Sequence, residues 1–427
     1  MISWNLLFLN FFYERDDSMT HPLFQPLTLP AGATIKNRFF KSAMSEGLGT
    51  PDHRPTPLHV TLYRRWAEGG AGLVVTGNIM IDRRAIGEPR NVVVEDERDF
   101  SLLKQWASAG TKNGTHLWAQ LNHPGKQIPK YLVKEPVAPS AIPLQGNVEN
   151  FFAKPRALTS TEIVEIIHRF GNSARILQRA GFTGIQIHAA HGYLISQFLS
   201  AHHNQRDDEW GGSLTNRMRF LVEVYQEIRK QVGDSFPIGI KLNSADFQRG
   251  GLTEEESMTV IQKLSTMNID CIEISGGNYE NPAMFLGSDI KESTRKREAY
   301  FIDFAEQARD HVTTPLVVTG GFRSEEGMTQ AIDSHAIDMV GLARPFSIKP
   351  DLPNQINQGS YHTTSLKRIR TGISSIDESS LLDTLWYEQQ LKRLGKGKKP
   401  LRRYPSFLFF IQTLLSQGIL TLQRRRS

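Results

Sequence analysis

The chain has 427 residues, a formal net charge of +6 at pH 7 and a hydrophobic fraction of 39%. This length can bury a large core, either as one domain of the α/β-barrel size or as two ordinary domains. Its single cysteine, Cys271, excludes an internal disulfide and argues against an iron–sulfur cluster held by thiolates. The cysteine usage favours a reducing compartment, and we expect a cytoplasmic location.

The positive charge is concentrated near the C-terminus. Residues 361–427 contain thirteen Lys and Arg but four Asp and Glu, so the rest of the chain is slightly acidic. This basic segment lacks the interleaved aromatic residues of a surface that binds single-stranded nucleic acid. We therefore expect no nucleic-acid partner.

Both ends of the chain are predicted to be extensions. The apolar start, "MISWNLLFLNFFYERDD", has no basic region or cleavage site and is too short to span a bilayer. We expect residues 1–20 to be disordered, or not translated if Met19 is the true start. Residues 361–427 are predicted to form a basic helical extension, with one helix near 380–394 and another near 407–422. Its apolar faces favour packing on the protein or on a second copy, and they leave peripheral membrane attachment open.

Between these extensions, apolar β-branched runs alternate with amphipathic stretches that begin with Ser or Thr caps and acidic residues. The runs are "RFFKSAM", "GLVVTGN", "HLWAQLN", "GIQIHAA", "IGIKLNS", "CIEISGG", "PLVVTGG" and "MVGLARP". Eight β-then-α units predict a (β/α)₈ TIM barrel over residues 21–360. A doubly wound sheet is the alternative, but the G-x-G-x-x-G turn of its dinucleotide-binding form is missing.

Polar residues recur where the predicted strands end, which is where barrel enzymes carry their catalytic groups. The fourth strand is followed by His188, His191 and Tyr193. Two imidazole N–H groups facing one oxygen can stabilise developing negative charge, and a phenol can donate a proton. The alternatives are satisfied core residues or a metal site formed by the two histidines. Because no carboxylate or thiolate is near in sequence, we predict no metal here.

The turns after the seventh and eighth strands, "TGGFR" and "GLARP", suggest a phosphate site. Backbone amides at Gly320 and Gly321 can approach an anion closely, and Arg344 can hold a phosphate. Phosphates commonly bind at this position of a barrel. The alternatives are a simple tight turn and an Arg344 paired with an acidic neighbour.

Four motifs together resemble the Old Yellow Enzyme family of flavin-dependent ene-reductases: "KSAMSEGL", "QLNHPGK", "HAAHGYLISQFLSAHHNQRDDEWGGSLTNRMRF" and "GLARP". The resemblance covers roughly residues 21 to 355, and the long third motif is the most specific. It implies a (β/α)₈ barrel with non-covalent FMN that is reduced by NADPH or NADH. It also implies reduction of C=C bonds activated by a carbonyl or nitro group.

The resemblance assigns His188 and His191 to binding the substrate's carbonyl or nitro oxygen. It assigns Tyr193 to protonation of the α-carbon, while hydride from the flavin goes to the β-carbon. It also implies that Gln120 bonds the flavin's pyrimidine edge and that Lys241 lies near N1 and O2. The residues placed at the flavin are Ser42, Ala43, Met44, Ser45, Gly77, Gln120, Lys241, Gly320, Gly321, Ala343 and Arg344.

The chain departs from the family pattern in its first motif, where Ser-Ala-Met-Ser replaces Ser-Pro-Met followed by Cys or Thr, and no substrate tyrosine is evident after Ser45. We therefore expect an NAD(P)H:flavin oxidoreductase, and we infer neither its flavin potential nor its substrate range from the resemblance. Two alternatives remain at this stage. One is a flavin protein, or a reductase of quinones or other acceptors, without alkene turnover; the other is a metal-dependent barrel hydrolase.

Overall fold

The computed structural model describes residues 21–146, 149–277, 280, 298–364 and 381–401, apart from the side chains of residues 381 and 382. The predicted N-terminal extension and the second C-terminal helix lie outside these residues. Within them, no helix is both long enough and apolar enough to cross a membrane.

Eight parallel strands form a closed barrel. The strands are β1 Phe39–Lys41, β2 Leu73–Met80, β3 His116–Asn122, β4 Gly184–Ala189, β5 Ile238–Asn243, β6 Cys271–Ser275, β7 Leu316–Thr319 and β8 Met339–Leu342. Each pairs with its neighbour, and β1 pairs with both β8 and β2, which closes the sheet. Every predicted apolar run forms one of these strands, so the TIM-barrel prediction is confirmed.

Helices follow the strands and cover the outside of the barrel. They are α1 Pro57–Glu68, α2 Phe100–Gly110, α3 Ser160–Ala180, α4 Leu194–Leu199, α5 Leu214–Val232, α6 Glu254–Ser265, α7 Ile302–Arg309, α8 Glu325–Asp333, α9 Arg344–Ile348, α10 Leu352–Asn357 and α11 Leu381–Gly395. The Thr159–Glu162 and Thr253–Glu256 pairs form capping boxes at the starts of α3 and α6. These reciprocal bonds explain why both helices begin at the predicted caps.

Short elements complete the described structure. Leu27–Thr28 pairs antiparallel with Thr34–Ile35, Val92–Val93 extends the sheet beside β2, and Val137–Ala138 pairs with Arg156–Ala157. Single 3₁₀ turns span Pro22–Phe24 and Lys112–Gly114.

The barrel interior is layered. Its lower layer is apolar and is centred on Trp118, whose side chain is fully buried. Gly184 and Gly239 make room for this ring, because a Cβ on either would lie 2.3 or 2.5 Å from an indole atom. The next layer toward the C-terminal ends of the strands is polar, and it supports the candidate site.

Helix α11 lies against α1 and α9, on the outside of the barrel. Leu385, Leu391 and Leu394 are buried there, and Arg65 of α1 donates a hydrogen bond to the carbonyl of Lys398 at 2.8 Å. The helix predicted near 380–394 is therefore present, and it packs on its own barrel.

Candidate active site

The histidine and tyrosine side chains of the fourth-strand motif lie together at the mouth of the barrel. The ring centroid of His188 is 5.0 Å from that of His191 and 4.8 Å from that of Tyr193. His188 is in β4, whereas His191 lies in the following turn with a φ of 61°. This left-handed conformation is uncommon for a residue with a side chain, and it turns the second imidazole back toward the first.

Hydrogen bonds orient both imidazoles. The backbone N–H of Ala190 donates to Nδ1 of His188 at 3.3 Å, so a neutral His188 carries its proton on Nε2. The Nε2 of His191 lies 2.8 Å from the hydroxyl of Ser275, and its backbone N–H donates to Asn243 Oδ1 at 3.1 Å. Strands β5 and β6 thus hold the turn in place, and Ser275 joins the histidines at the mouth.

Tyr193 lies in a partly aromatic wall. Its side chain is 3% exposed and packs with Leu144 and Phe152, with Phe151 at the edge of the cluster. The ring is therefore fixed by packing, and only its hydroxyl is polar. A fixed phenol next to two imidazoles is suited to delivering a proton to a defined atom.

The polar layer below the histidines joins three predicted cofactor residues. Glu273 of β6 is fully buried, and its Oε1 lies 3.0 Å from Lys241 Nζ. Ser42 connects to the same carboxylate through the hydroxyl of Thr319, at 2.7 and 2.6 Å. On the other side, Gln120 Nε2 donates to Gln186 Oε1 at 2.7 Å, and Gln186 Nε2 donates to Glu273 Oε2 at 2.8 Å. The layer therefore brings together Ser42 from the end of β1, Gln120 from β3 and Lys241 from β5.

The turn after β7 has the features of an anion site. Gly320 and Gly321 have φ values of 118° and 108°, and a Cβ on Gly321 would lie 2.0 Å from the carbonyl oxygen of Glu298. Arg344 is half-buried, and no described residue pairs with its guanidinium. Burial and, secondarily, the like charge of Arg344 lower the pKa of Arg323. Two neighbouring cations beside a glycine turn fit a phosphate group.

The loop after β1 stands over a buried ionic cluster. The ammonium of Lys41 lies 4.1 Å from the Trp66 ring centroid and 4.0 Å from Glu46 Oε1. Burial lowers the pKa of Lys41 to about 8, an effect that Glu46 partly offsets. The hydroxyl of Tyr63 donates to Glu46 and accepts the Gly77 backbone N–H at 3.2 Å. This N–H is thus used within the protein, and the face of Gly77 where a Cβ would stand packs against the Met44 carbonyl oxygen.

The remaining predicted cofactor residues lie on two loops. Ala43 and Met44 are partly buried against the core beside Ser42, and Ala343 precedes α9. The Ser45 hydroxyl lies 2.5 Å from Glu88 Oε2 and 2.7 Å from Glu388 Oε1. Because Glu388 is in α11, the C-terminal helix contacts the loop that is predicted to line the flavin.

One group of ionisable side chains is a candidate cation site. His202, His203 and Glu280 place one ligand atom each within 4.8 Å of the others. However, Lys126 Nζ lies 2.9 Å from His203 Nδ1, and His203 Nε2 lies 3.3 Å from Glu280. We interpret this group as a hydrogen-bonded chain from ammonium to carboxylate, in which the imidazole is the link.

Comparisons with known proteins identify the family. The family described as NADH:flavin oxidoreductase / NADH oxidase matches residues 22–363. An NADH-dependent flavin oxidoreductase of Hypocrea jecorina (strain QM6a) is 38% identical over 353 residues, which cover 78% of this chain and 88% of that protein. A protein of the same description from Talaromyces variabilis is 33% identical over 413 residues, covering 88% and 98% of the two chains.

Solved structures of similar fold point to the same family. The old yellow enzyme homologue from Zymomonas mobilis has a TM-score of 0.69 and 26% identity, covering 81% of this chain and 94% of that one. Morphinone reductase has a TM-score of 0.68 and 26% identity, with 81% and 92% covered.

Barrel, family match and structural neighbours define a flavin-dependent oxidoreductase. The chain belongs to the NADH:flavin oxidoreductase / NADH oxidase family, that is, the Old Yellow Enzyme family its motifs resemble. It is an NAD(P)H:flavin oxidoreductase that uses FMN and a nicotinamide cofactor, as predicted. The glycine turn with its two arginines fits the FMN phosphate, and the polar layer fits a polar ring. Because the chain belongs to this family, the alternative of a metal-dependent barrel hydrolase is rejected.

Sequence reasoning missed several residues that the fold brings to the candidate site. Glu273, Gln186 and Thr319 lie inside apolar runs that predict strands, and a charged or amide residue within such a run was an available signal. Arg323 directly follows the "TGGF" turn, so it could also have been predicted from the sequence. Glu388 could not have been predicted, because nothing near it in the chain indicates contact with Ser45.

Proposed function

We propose that this protein reduces C=C bonds of α,β-unsaturated carbonyl or nitro compounds, with NADH or NADPH as the electron donor. The observation that carries the proposal is the cluster of His188, His191 and Tyr193 at 4.8 to 5.0 Å between ring centroids, above a polar layer. Bound FMN supplies the transfer of two electrons with a hydrogen between the nicotinamide and the alkene.

The residues of the chain have separable roles in this proposal. The His188 Nε2–H and the His191 imidazole, supported by Ser275, bind the substrate oxygen, where negative charge develops as the β-carbon gains hydride. Tyr193 donates its hydroxyl proton to the α-carbon. Hydride and proton together add two hydrogens across the double bond, and the phenolate regains its proton from water.

The cofactor residues are proposed to divide the flavin between them. Gly320, Gly321, Ala343 and Arg344, with Arg323, hold the phosphate. Gln120 and Lys241 hold the pyrimidine edge, where a cation favours the reduced form. Ser42, Ala43, Met44, Ser45 and Gly77 line the ring, and the loop of Ser45 is held by α11 and Glu88.

The test replaces Tyr193 with Phe, which removes the phenolic donor and keeps the ring in its wall. We expect NAD(P)H to reduce the flavin at a near-normal rate, and reoxidation by an α,β-unsaturated ketone to slow by about 10²-fold. Reoxidation by a quinone, which needs no protonation of carbon, should be unchanged. Stopped-flow absorbance follows each half-reaction separately.

The matched comparison is His191→Ala, which should weaken enone or phenol binding as well as turnover, because it removes a donor to the charged oxygen. If Tyr193→Phe slows flavin reduction and spares enone reduction, Tyr193 is not the proton donor. If the native protein reoxidises with quinones but with no activated alkene, the alternative of a quinone or other-acceptor reductase is correct.

A further inference from the structure

Glu273 is an acidic residue in the interior of the barrel, and its position is unusual for a charge. Its side chain has no exposed surface, and it is two positions from the buried Cys271 on the same face of β6. A buried carboxylate is costly unless its oxygens are paired and hydrogen-bonded. Here Oε1 meets Lys241 Nζ at 3.0 Å and Thr319 Oγ1 at 2.6 Å, and Oε2 accepts from Gln186 Nε2 at 2.8 Å.

The carboxylate also sets the direction of the hydrogen bonds that continue from it. Because an ionised carboxylate can only accept, Gln186 must present its amide nitrogen to Glu273. The carbonyl oxygen of Gln186 then accepts from Gln120 Nε2 at 2.7 Å. Gln120 is thereby held with its own carbonyl oxygen outside this chain of bonds. The orientation of an amide on β3 thus depends on a carboxylate on β6.

We propose that Glu273 is a positioning residue of the flavin site, which holds the Lys241 ammonium in place and, through Gln186, orients Gln120. The inference rests on the flavin placement proposed above. In that placement, the Gln120 carbonyl suits the N3–H of the flavin pyrimidine, and the Lys241 charge lies near the edge that becomes negative on reduction. In this proposal Glu273 acts through Lys241 and Gln186 and not by touching the flavin or the substrate.

The charges around Lys241 determine what the removal of Glu273 does. Glu273 adjoins Lys241 from β6, and His188 is its register neighbour on β4. Lys41, from β1, repels it and is itself paired with Glu46. Glu273 is therefore the anion in direct contact with Lys241 among the described residues. Without it, the ammonium loses the contact that positions it, and the negative charge that opposes flavin reduction is gone.

The first experiment measures the midpoint potential of the FMN-loaded Glu273→Gln protein at pH 6 and pH 9 by spectroelectrochemistry. At pH 6 we expect a potential above that of the native protein. The change at pH 9 should have the same direction. A potential equal to the native value at both pH values would overturn the proposal.

A second comparison keeps the test decisive if the single Glu273 variant does not fold. It compares Lys241→Met with the double variant Lys241→Met/Glu273→Gln, in which neither the ammonium nor the carboxylate is left buried without its partner. The double variant should have a higher potential than Lys241→Met. Equal potentials in the two proteins would overturn the role of Glu273. If Lys241→Met itself has the native potential, the flavin placement is wrong, and this result is distinct from failure of the enone test.

Asp270→Asn is the matched control. Asp270 is also fully buried, but it binds Arg229 and the Ile238 N–H at the opposite end of β5 and β6. Its replacement should leave the potential unchanged at both pH values. A shift equal to that of Glu273→Gln would mean that any buried acid has the same effect, which contradicts a specific role.

Gln186→Met tests the proposed orientation of Gln120, because it breaks the hydrogen bond from Gln120 to Gln186 and leaves the contact between Lys241 and Glu273. We expect FMN affinity, measured by titration of the apoprotein, to fall by about tenfold, with the native pH dependence of the potential. Native FMN affinity would overturn the orienting role toward Gln120.

Discussion

Arg344 and Arg323 bring two guanidiniums to the glycine turn after β7. Arg323 is partly buried, and its pKa is lowered by burial and, to a smaller extent, by the charge of Arg344. Like charges in such a position destabilise the folded protein unless an anion lies between them. The arrangement supports the phosphate role proposed above for Arg344 and Arg323.

Replacing Arg344 with Ala should weaken FMN binding by about 10- to 100-fold, because it removes a charge-assisted contact with a partly desolvated phosphate. Fluorescence titration of the apoprotein measures this loss. Riboflavin has no phosphate, so the native protein and the variant should bind it equally. Undiminished FMN affinity, or an equal loss for riboflavin, would contradict the phosphate role.

Helix α11 is the element whose position was hardest to anticipate. It carries Glu388 to within 2.7 Å of Ser45, and a Cβ on Gly47 would lie 3.3 Å from the same carboxylate. Its buried face includes Leu391 and Leu394 against the barrel. The helix therefore holds the loop after β1 from outside, while the barrel holds it from below.

Glu388→Ala should lower FMN affinity a few-fold, because the loop of Ser45 keeps its contact with Glu88 but loses the one with Glu388 and becomes less restrained. Lys392→Ala is the matched control, since Lys392 is exposed on the same helix. Titration of both apoproteins with FMN makes the comparison. Equal affinities would mean that α11 contributes to the fold and not to the cofactor loop.

At the scale of the whole molecule, several histidines of the described residues are buried or partly buried, and burial disfavours their charged form. Burial lowers the pKa of His59, His116 and His203, and it lowers that of His123 from 6.5 to about 4. A histidine whose pKa is lower in the folded state takes up protons preferentially on unfolding. Stability from these groups is therefore complete above about pH 6.5 and is lost as the pH falls toward 4.

We expect the free energy of unfolding to be smaller at pH 5 than at pH 7, as measured by chemical denaturation. His123 alone accounts for up to about 3 kcal/mol over its full range. Replacing His123 with Gln should reduce the difference between the two pH values. Replacing His168, which is exposed, should leave it unchanged. Equal or greater stability at pH 5 would contradict this assignment.

Much of the fold was predictable because its signals are local. Each of the eight strands is an apolar run bounded by turn residues, and the caps at Thr159 and Thr253 mark helix starts within four residues. His188, His191 and Tyr193 are also close in sequence, so one strand and one turn bring them together. The motifs around them were specific enough to indicate the family, FMN and the nicotinamide cofactor.

The sequence by itself therefore determined the barrel, the family and the strand ends at which chemistry is expected. The tertiary structure alone decided which of these residues meet. Glu273 contacts Gln186, Lys241 and Thr319 because barrel closure and register place four strands side by side. Glu388 reaches Ser45 across 343 positions of the chain. A local pattern reports the periodicity and the caps of one element, whereas such contacts depend on how separate elements are aligned and packed.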